Sequence, residues 1–198
     1  DNSPKGNYMN SKESFNHWFI IPLQWLKAVP NNDGSFIAIA SALFLYERYI
    51  VAKLKFLGKT VTEPKKIQQV ASDFEVSSRV ARVFWSVMRN GILHQAMPKL
   101  REQGRKETDW VFRHDKSGIA FELLEHEGQS LLIVRPWLVV ESIVHLWQDN
   151  LDLLEQNKSF PWAQVSSITE DSSTPDLFRI TGSSSGLGIL GIDEESLQ

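Results

Sequence analysis

The sequence predicts a mainly α domain: an up-and-down bundle of four or five helices, with a small antiparallel β-hairpin or sheet inserted before the last helix. Three observations predict it. Apolar residues recur at spacings of three and four through several long stretches, which is the helical period. Pro, Ser, Asn and Gly punctuate those stretches where helices start and stop. Short connections between successive stretches favour antiparallel neighbours.

The first predicted helix covers 16–29, where Trp18, Phe19, Pro22, Trp25, Leu26 and Val29 share one face; Pro22 implies a kink or a separate first turn. Pro30-Asn31-Asn32-Asp33-Gly34 is a turn cluster, and Asp33 or Ser35 can cap the next helix. The longest helical pattern, 35–56, carries the stripe Phe36, Ala40, Leu43, Ile50 and Leu54, and stops at Gly58. Lys53, Lys55 and Lys59 sit near its C-terminal end, where the helix dipole favours cations. Thr62-Glu63-Pro64 opens a third helix with inner face Ile67, Val70, Ala71 and Phe74. Val76-Ser77-Ser78 then caps a fourth, in which Val80, Val83, Phe84, Val87 and Met88 face inward. Strands are predicted over 109–114, 119–125 and 129–134, the first two joined by Asp115-Lys116-Ser117-Gly118. Pro136 starts a last helix reaching about 157, with Leu138, Ile143, Leu146, Trp147, Leu151 and Leu154 on its apolar side.

The chain divides into three regions. Residues 1–15 read as a flexible N-terminal segment in which Met9 is a candidate natural start. Residues 16–157 form the helical domain with its β insert at about 109–134, and 158–198 are a largely irregular extension. Gly186-Leu187-Gly188-Ile189-Leu190-Gly191 matches a dinucleotide fingerprint by letter, but it comes after no strand and opens no βαβ unit.

Composition narrows the function. The 198 residues include seven Trp and eleven Phe, enough to fill one core. The formal net charge of -3 lacks the basic excess of a protein that holds a long duplex, so any nucleic-acid contact is local. Without cysteine there is no disulfide, no thiolate chemistry and no Cys-type zinc site, in keeping with the cytoplasm. No run of about 18 apolar residues is present, so no membrane span is expected. No His, Asp and Glu cluster has metal-ligand spacing, so neither a metal nor any other cofactor is expected.

The fourth helix ends in Phe84-Trp85-Ser86-Val87-Met88-Arg89-Asn90-Gly91-Ile92-Leu93-His94, the one place where an Arg is followed by a His four to six residues later. On an ideal α-helix Arg89 and His94 point about 140° apart, so a bend or break, with Gly91 as the permissive residue, is needed for both to reach one pocket. An Arg offers a planar fork to phosphate oxygens, and a His titrates near neutrality. Together they suit cleavage of RNA through its 2′-OH without a metal. Glu47 interrupts the apolar stripe between Leu43 and Ile50, and a carboxylate there costs free energy unless it is paired.

Arg89-Asn90-Gly91-Ile92-Leu93-His94 resembles the signature of the HEPN superfamily, an Arg, a polar residue and then a His four to six positions on. The resemblance extends over the helical bundle. It implies an all-helical, HEPN-like domain that dimerises with two motifs facing each other across a cleft. Many members are metal-independent endoribonucleases, often toxins or antiviral defence effectors; others have lost activity and bind RNA, nucleotides or proteins. Carried over, Arg89 and His94 are the catalytic pair and Asn90 orients them, with Glu47 matching by position the acidic residue the family often has on an earlier helix. Apart from the resemblance, Arg48, Lys99 and Arg101 are candidate RNA-binding cations. The implied partners are an RNA substrate, a second copy of the chain, and a cognate antitoxin or defence-system protein, with no membrane. The alternative is a non-catalytic HEPN-like module that binds RNA or protein.

Plainer readings stand beside these. Arg89 complements a helix dipole, Asn90-Gly91 forms a C-cap, and His94 is a surface ring. Glu47 pairs with Arg48 or with a cation from another helix. His17, His114, His126 and His145 are structural or solvated. Trp18, Trp25, Trp85, Trp137 and Trp147 belong to the core or a dimer interface. Lys99, Arg101, Arg105 and Lys106 form a solvated loop, or the path by which an RNA backbone leaves the cleft.

Overall fold

The computed structural model describes residues 11–98, 108–127 and 129–153. Helix α1 covers residues 11–28, α2 Ser35–Phe56, α3 Glu63–Asp73, α4 residues 78–95 and α5 Pro136–Gln148. Strands β1 (Thr108–Phe112), β2 (Phe121–His126) and β3 (Gln129–Val134) lie between α4 and α5. Residues 1–10, the basic run from Lys99 to Lys106, the chain beyond residue 153 and the glycine motif at 186–191 lie outside the described residues.

Helix α2 organises the core. Eleven of its 22 residues are buried, from Ser35 to Leu54, against α1, α3 and most extensively α5. By length and composition alone α2 is the one described helix long and apolar enough to cross a bilayer, although Glu47 and Arg48 interrupt it and it holds no unbroken run of 18 apolar residues. Its packing accounts for part of that composition, since eleven residues are buried in the bundle, while Ile37 and Phe44 are 59% and 57% exposed. Both its ends are set by glycines. A Cβ at Gly34 would stand 2.1 Å from the Leu26 carbonyl oxygen, so only glycine lets α1 and α2 approach there. Gly34 itself is the N-cap, and neither Asp33 nor Ser35 caps through its side chain. At the other end Gly58 adopts φ 65°, its N–H donating to Lys55 O and that of Lys59 to Leu54 O, the paired bonds of a Schellman stop.

Helix α1 starts before the predicted residue 16 and runs unbroken through Pro22. Residues Asn16–Ile20 form a π turn, with the Ile21 N–H donating to Asn16 O. The extra residue per turn accommodates a proline that lacks an N–H and crowds the preceding turn. The buried residues of α1 are Phe15 and Leu23, whereas Trp18 and Trp25 are 44% and 72% exposed, so of the two places expected for them, core or dimer interface, they do not take the core. Trp85 and Trp147 are buried as expected.

The three strands correct the expected antiparallel arrangement. The sheet is mixed, in the order β1-β3-β2: β3 pairs antiparallel with β2 and parallel with β1, and β1 does not pair with β2. The centre goes to the strand with the most apolar run, Leu131 to Val134, whose last three residues are buried. Arg135, directly after β3, holds the β1–β2 connection in place. Its Nε donates to Asp115 Oδ2 at 2.7 Å, and its Nη1 to Ile119 O at 2.8 Å and Glu122 Oε1 at 2.9 Å. Phe121 stacks on Phe84 with ring centres 3.8 Å apart, docking the sheet on α4.

A buried polar network ties α2 to α3. Asp73 accepts from Tyr46 Oη at 3.0 Å, Lys53 Nζ at 3.2 Å and Gln69 Nε2 at 2.7 Å. Burial first, and then the Asp73 carboxylate, push the Tyr46 phenol well above its ordinary range, so it stays a neutral donor. Asp73→Ala leaves Tyr46 and Lys53 without this partner. We expect a loss of about 3 kcal/mol in urea denaturation, with Tyr46→Phe costing less.

Candidate functional site

The site lies where α2, α3 and α4 meet. Helix α4 begins at Ser77, whose Oγ accepts from the Val80 N–H at 3.3 Å. It is α-helical over Ser78–Phe84, π-helical over Trp85–Asn90 and α-helical again over Gly91–Gln95, ending at Ala96 in the left-handed region. The anticipated bend is therefore a π turn and not a break at Gly91, which is buried with ordinary helical torsions. Asn90-Gly91 is correspondingly not a C-cap. Such turns widen the helix by one residue and re-aim the side chains beyond them.

This π turn carries Arg89 toward α2. The Arg89 Nε donates to Glu47 Oε2 at 3.1 Å, and its Nη2 makes a short charge-assisted contact with Glu47 Oε1. Its Nη1 donates to Asn90 Oδ1 at 2.7 Å. The guanidinium carbon stands 5.3 Å from the centre of the Trp85 ring, within cation–π range. Three predicted residues, Glu47, Arg89 and Asn90, are thus joined by hydrogen bonds. Arg89 uses three of its five donor N–H groups in them, leaving two.

His94 is not part of this cluster. It lies one turn on, is exposed, and among the described residues no hydrogen bond or ion pair joins it to Arg89, Asn90 or Glu47. Arg48 is exposed beside Glu47, which pairs with cations from other helices. Lys99 and Arg101 lie outside the described residues.

Two residues of α3 complete the arrangement and were not anticipated from the sequence. Lys66 Nζ donates to Glu47 Oε1 at 3.0 Å, the same oxygen that Arg89 Nη2 contacts. Glu63 accepts from Trp85 Nε1 at 2.7 Å and lies 3.9 Å from Lys66 Nζ. The two cations balance the two carboxylates, but not equally: Glu63 is half exposed, whereas the side chains of Glu47, Lys66 and Arg89 are 20%, 16% and 15% accessible. Burial pushes the Glu47 carboxyl up; hydrogen bonds from Arg89 and Lys66 outweigh that and hold it below the usual glutamate range. Glu47 is therefore ionised and accepts only. Among the described residues no group of three or more His, Asp or Glu side chains is placed to hold a metal ion.

Comparison with protein-family models, curated proteins and solved structures finds no match to this chain.

Because the folded-state pKa of Glu47 is depressed, its contribution is full above the unfolded value near 4.5 and is lost as pH falls through the folded value. Glu47→Gln is expected to cost about 1–3 kcal/mol at pH 7. In urea titrations from pH 7 to pH 3 the gap between variant and wild type should narrow once the pH drops below about 4.5. A gap independent of pH would show that Glu47 is not held as an ion.

Proposed function

We propose that this chain is a metal-independent endoribonuclease of the HEPN type, acting on single-stranded RNA as a homodimer and serving as a toxin or antiviral effector. The observation that carries the reading is the bonded trio Glu47–Arg89–Asn90. Glu47 stands out in the sequence as a misplaced carboxylate and Arg89 as the start of an Arg-polar-x-x-x-His motif; in the fold they are partners.

Glu47 and Asn90 fix the Arg89 guanidinium, and its two remaining N–H groups face the non-bridging oxygens of the scissile phosphate. A neutral His94 takes the proton from the ribose 2′-OH, whose oxygen bonds to phosphorus. The bond from phosphorus to the 5′ oxygen breaks, and the His94 imidazole, protonated by the first transfer, returns that proton to the leaving 5′ oxygen. The products are a 2′,3′-cyclic phosphate and a 5′-OH. Since Arg89 turns toward Glu47 and His94 lies apart, the reading takes Arg89 from one protomer and His94 from its partner.

One observation favours a second reading, a non-catalytic module that binds RNA or protein. Three of the five Arg89 donors are engaged inside the protomer, as in a structural arginine. The two readings separate in RNA cleavage assays with EDTA. For the enzyme, wild type cleaves, and His94→Ala and Arg89→Ala each lose at least about 100-fold. Equal cleavage by wild type and His94→Ala, or none by either across diverse RNAs, favours the binding module. On expression in cells, growth arrest by wild type that His94→Ala relieves points the same way as cleavage.

A further inference from the structure

An arginine bonded bidentately to a glutamate is a neutral pair, and a neutral pair offers a phosphodiester little net attraction. Arg89 and Glu47 form such a pair. Lys66 changes the sum: two cations against one carboxylate leave one net positive charge in the part-buried trio. The Lys66 ammonium donates one of its three protons to Glu47 Oε1, the oxygen it shares with Arg89 Nη2, so the two cationic groups are neighbours and both keep spare donors. Glu63 also pairs with Lys66, at 3.9 Å, but it is half exposed, so water screens its charge more than those of the part-buried trio.

We propose that Lys66 is a phosphate-binding residue of this site, supplying the net positive charge that the Arg89–Glu47 pair by itself lacks. The proposal rests on the reading of the site as one for RNA phosphodiesters. Its consequence is an order of affinities set by charge. The trio carries +1 in wild type, 0 in Lys66→Met, +1 again in Lys66→Met/Glu47→Gln and +2 in Glu47→Gln. A glutamine substitution at a second position should therefore repair the loss of the lysine. A lysine that only packed or braced α3 would not be repaired in this way.

The experiment is fluorescence anisotropy with a single-stranded 2′-O-methyl RNA, which lacks the attacking hydroxyl and is not cleaved, measured over a salt series on full-length protein. Thermal melting alongside identifies variants that fail to fold. Lys66→Met should bind about tenfold more weakly, with its log affinity against log salt slope smaller by about 0.7. Lys66→Arg and Lys66→Met/Glu47→Gln should each lie within about threefold of wild type. Glu47→Gln should bind at least as tightly as wild type yet cleave RNA more slowly, since Arg89 loses its anchor. Binding by Lys66→Met equal to wild type, or no recovery in a folded double variant, overturns the proposal and leaves the wider reading standing. No binding of this RNA by wild type together with no RNA cleavage in EDTA overturns the wider reading, and the role of Lys66 with it.

Discussion

The constraint on which the rest depends is a carboxylate where apolar packing would be cheaper. Glu47 sits on the central helix, flanked by buried Tyr46 and near Leu43 and Ile50. It must be paired to be tolerated there. Arg89 reaches it from within the π turn Trp85–Asn90 of α4, and Lys66 reaches it from α3, which the Asp73 network also ties to α2. One ion thus joins three helices. A buried ion pair is weak evidence of stabilisation, since an apolar replacement of similar shape often does as well. A site that keeps one therefore gains geometry more than stability.

The geometry has an ordering within it. Tyr46 packs edge-on against Trp85 with ring centres 6.2 Å apart, and Trp85 lies under the Arg89 guanidinium. The indole N–H in turn bonds to Glu63 on α3. Arg89 and Glu47 therefore each make more than one hydrogen bond, whereas Lys66 makes one, to Glu47, beside its ion pair with Glu63 at 3.9 Å. Three hydrogen bonds and the Trp85 ring hold the Arg89 side chain, and preorganised donors of that kind serve electrostatic catalysis and tight anion recognition alike.

Much of this was legible in the sequence where a local rule carried it. The apolar stripe of 35–56, the stop at Gly58, the Ser77 cap and the inward residues of α4 come from periodicity and capping, and Glu47 was conspicuous because it broke a stripe. Lys66 carried no such signal: it is one of two adjacent lysines in the first turns of α3, and only the fold shows which of them faces Glu47. The π turn was equally hidden, since one extra residue per turn hardly alters a run as apolar as Phe84 to Met88. Trp18 and Trp25 are exposed in the single chain, since hydrophobicity marks a residue that can be buried, not one that is. Strand order is a non-local property, although the unbroken apolar run of β3 was a hint that it would take the middle.

Arg89 faces inward and His94 faces out, which makes the pairing of protomers the central claim. Subunit complementation tests it most directly. Arg89→Ala and His94→Ala proteins, each inactive alone, are mixed in equal amounts and allowed to exchange subunits. If each site takes Arg89 from one protomer and His94 from the other, half the dimers are mixed and each of these has one intact site of two. The account predicts recovery of about a quarter of the wild-type cleavage rate. No recovery from subunits shown to exchange, with wild type active, would contradict it by confining Arg89 and His94 to sites within single protomers.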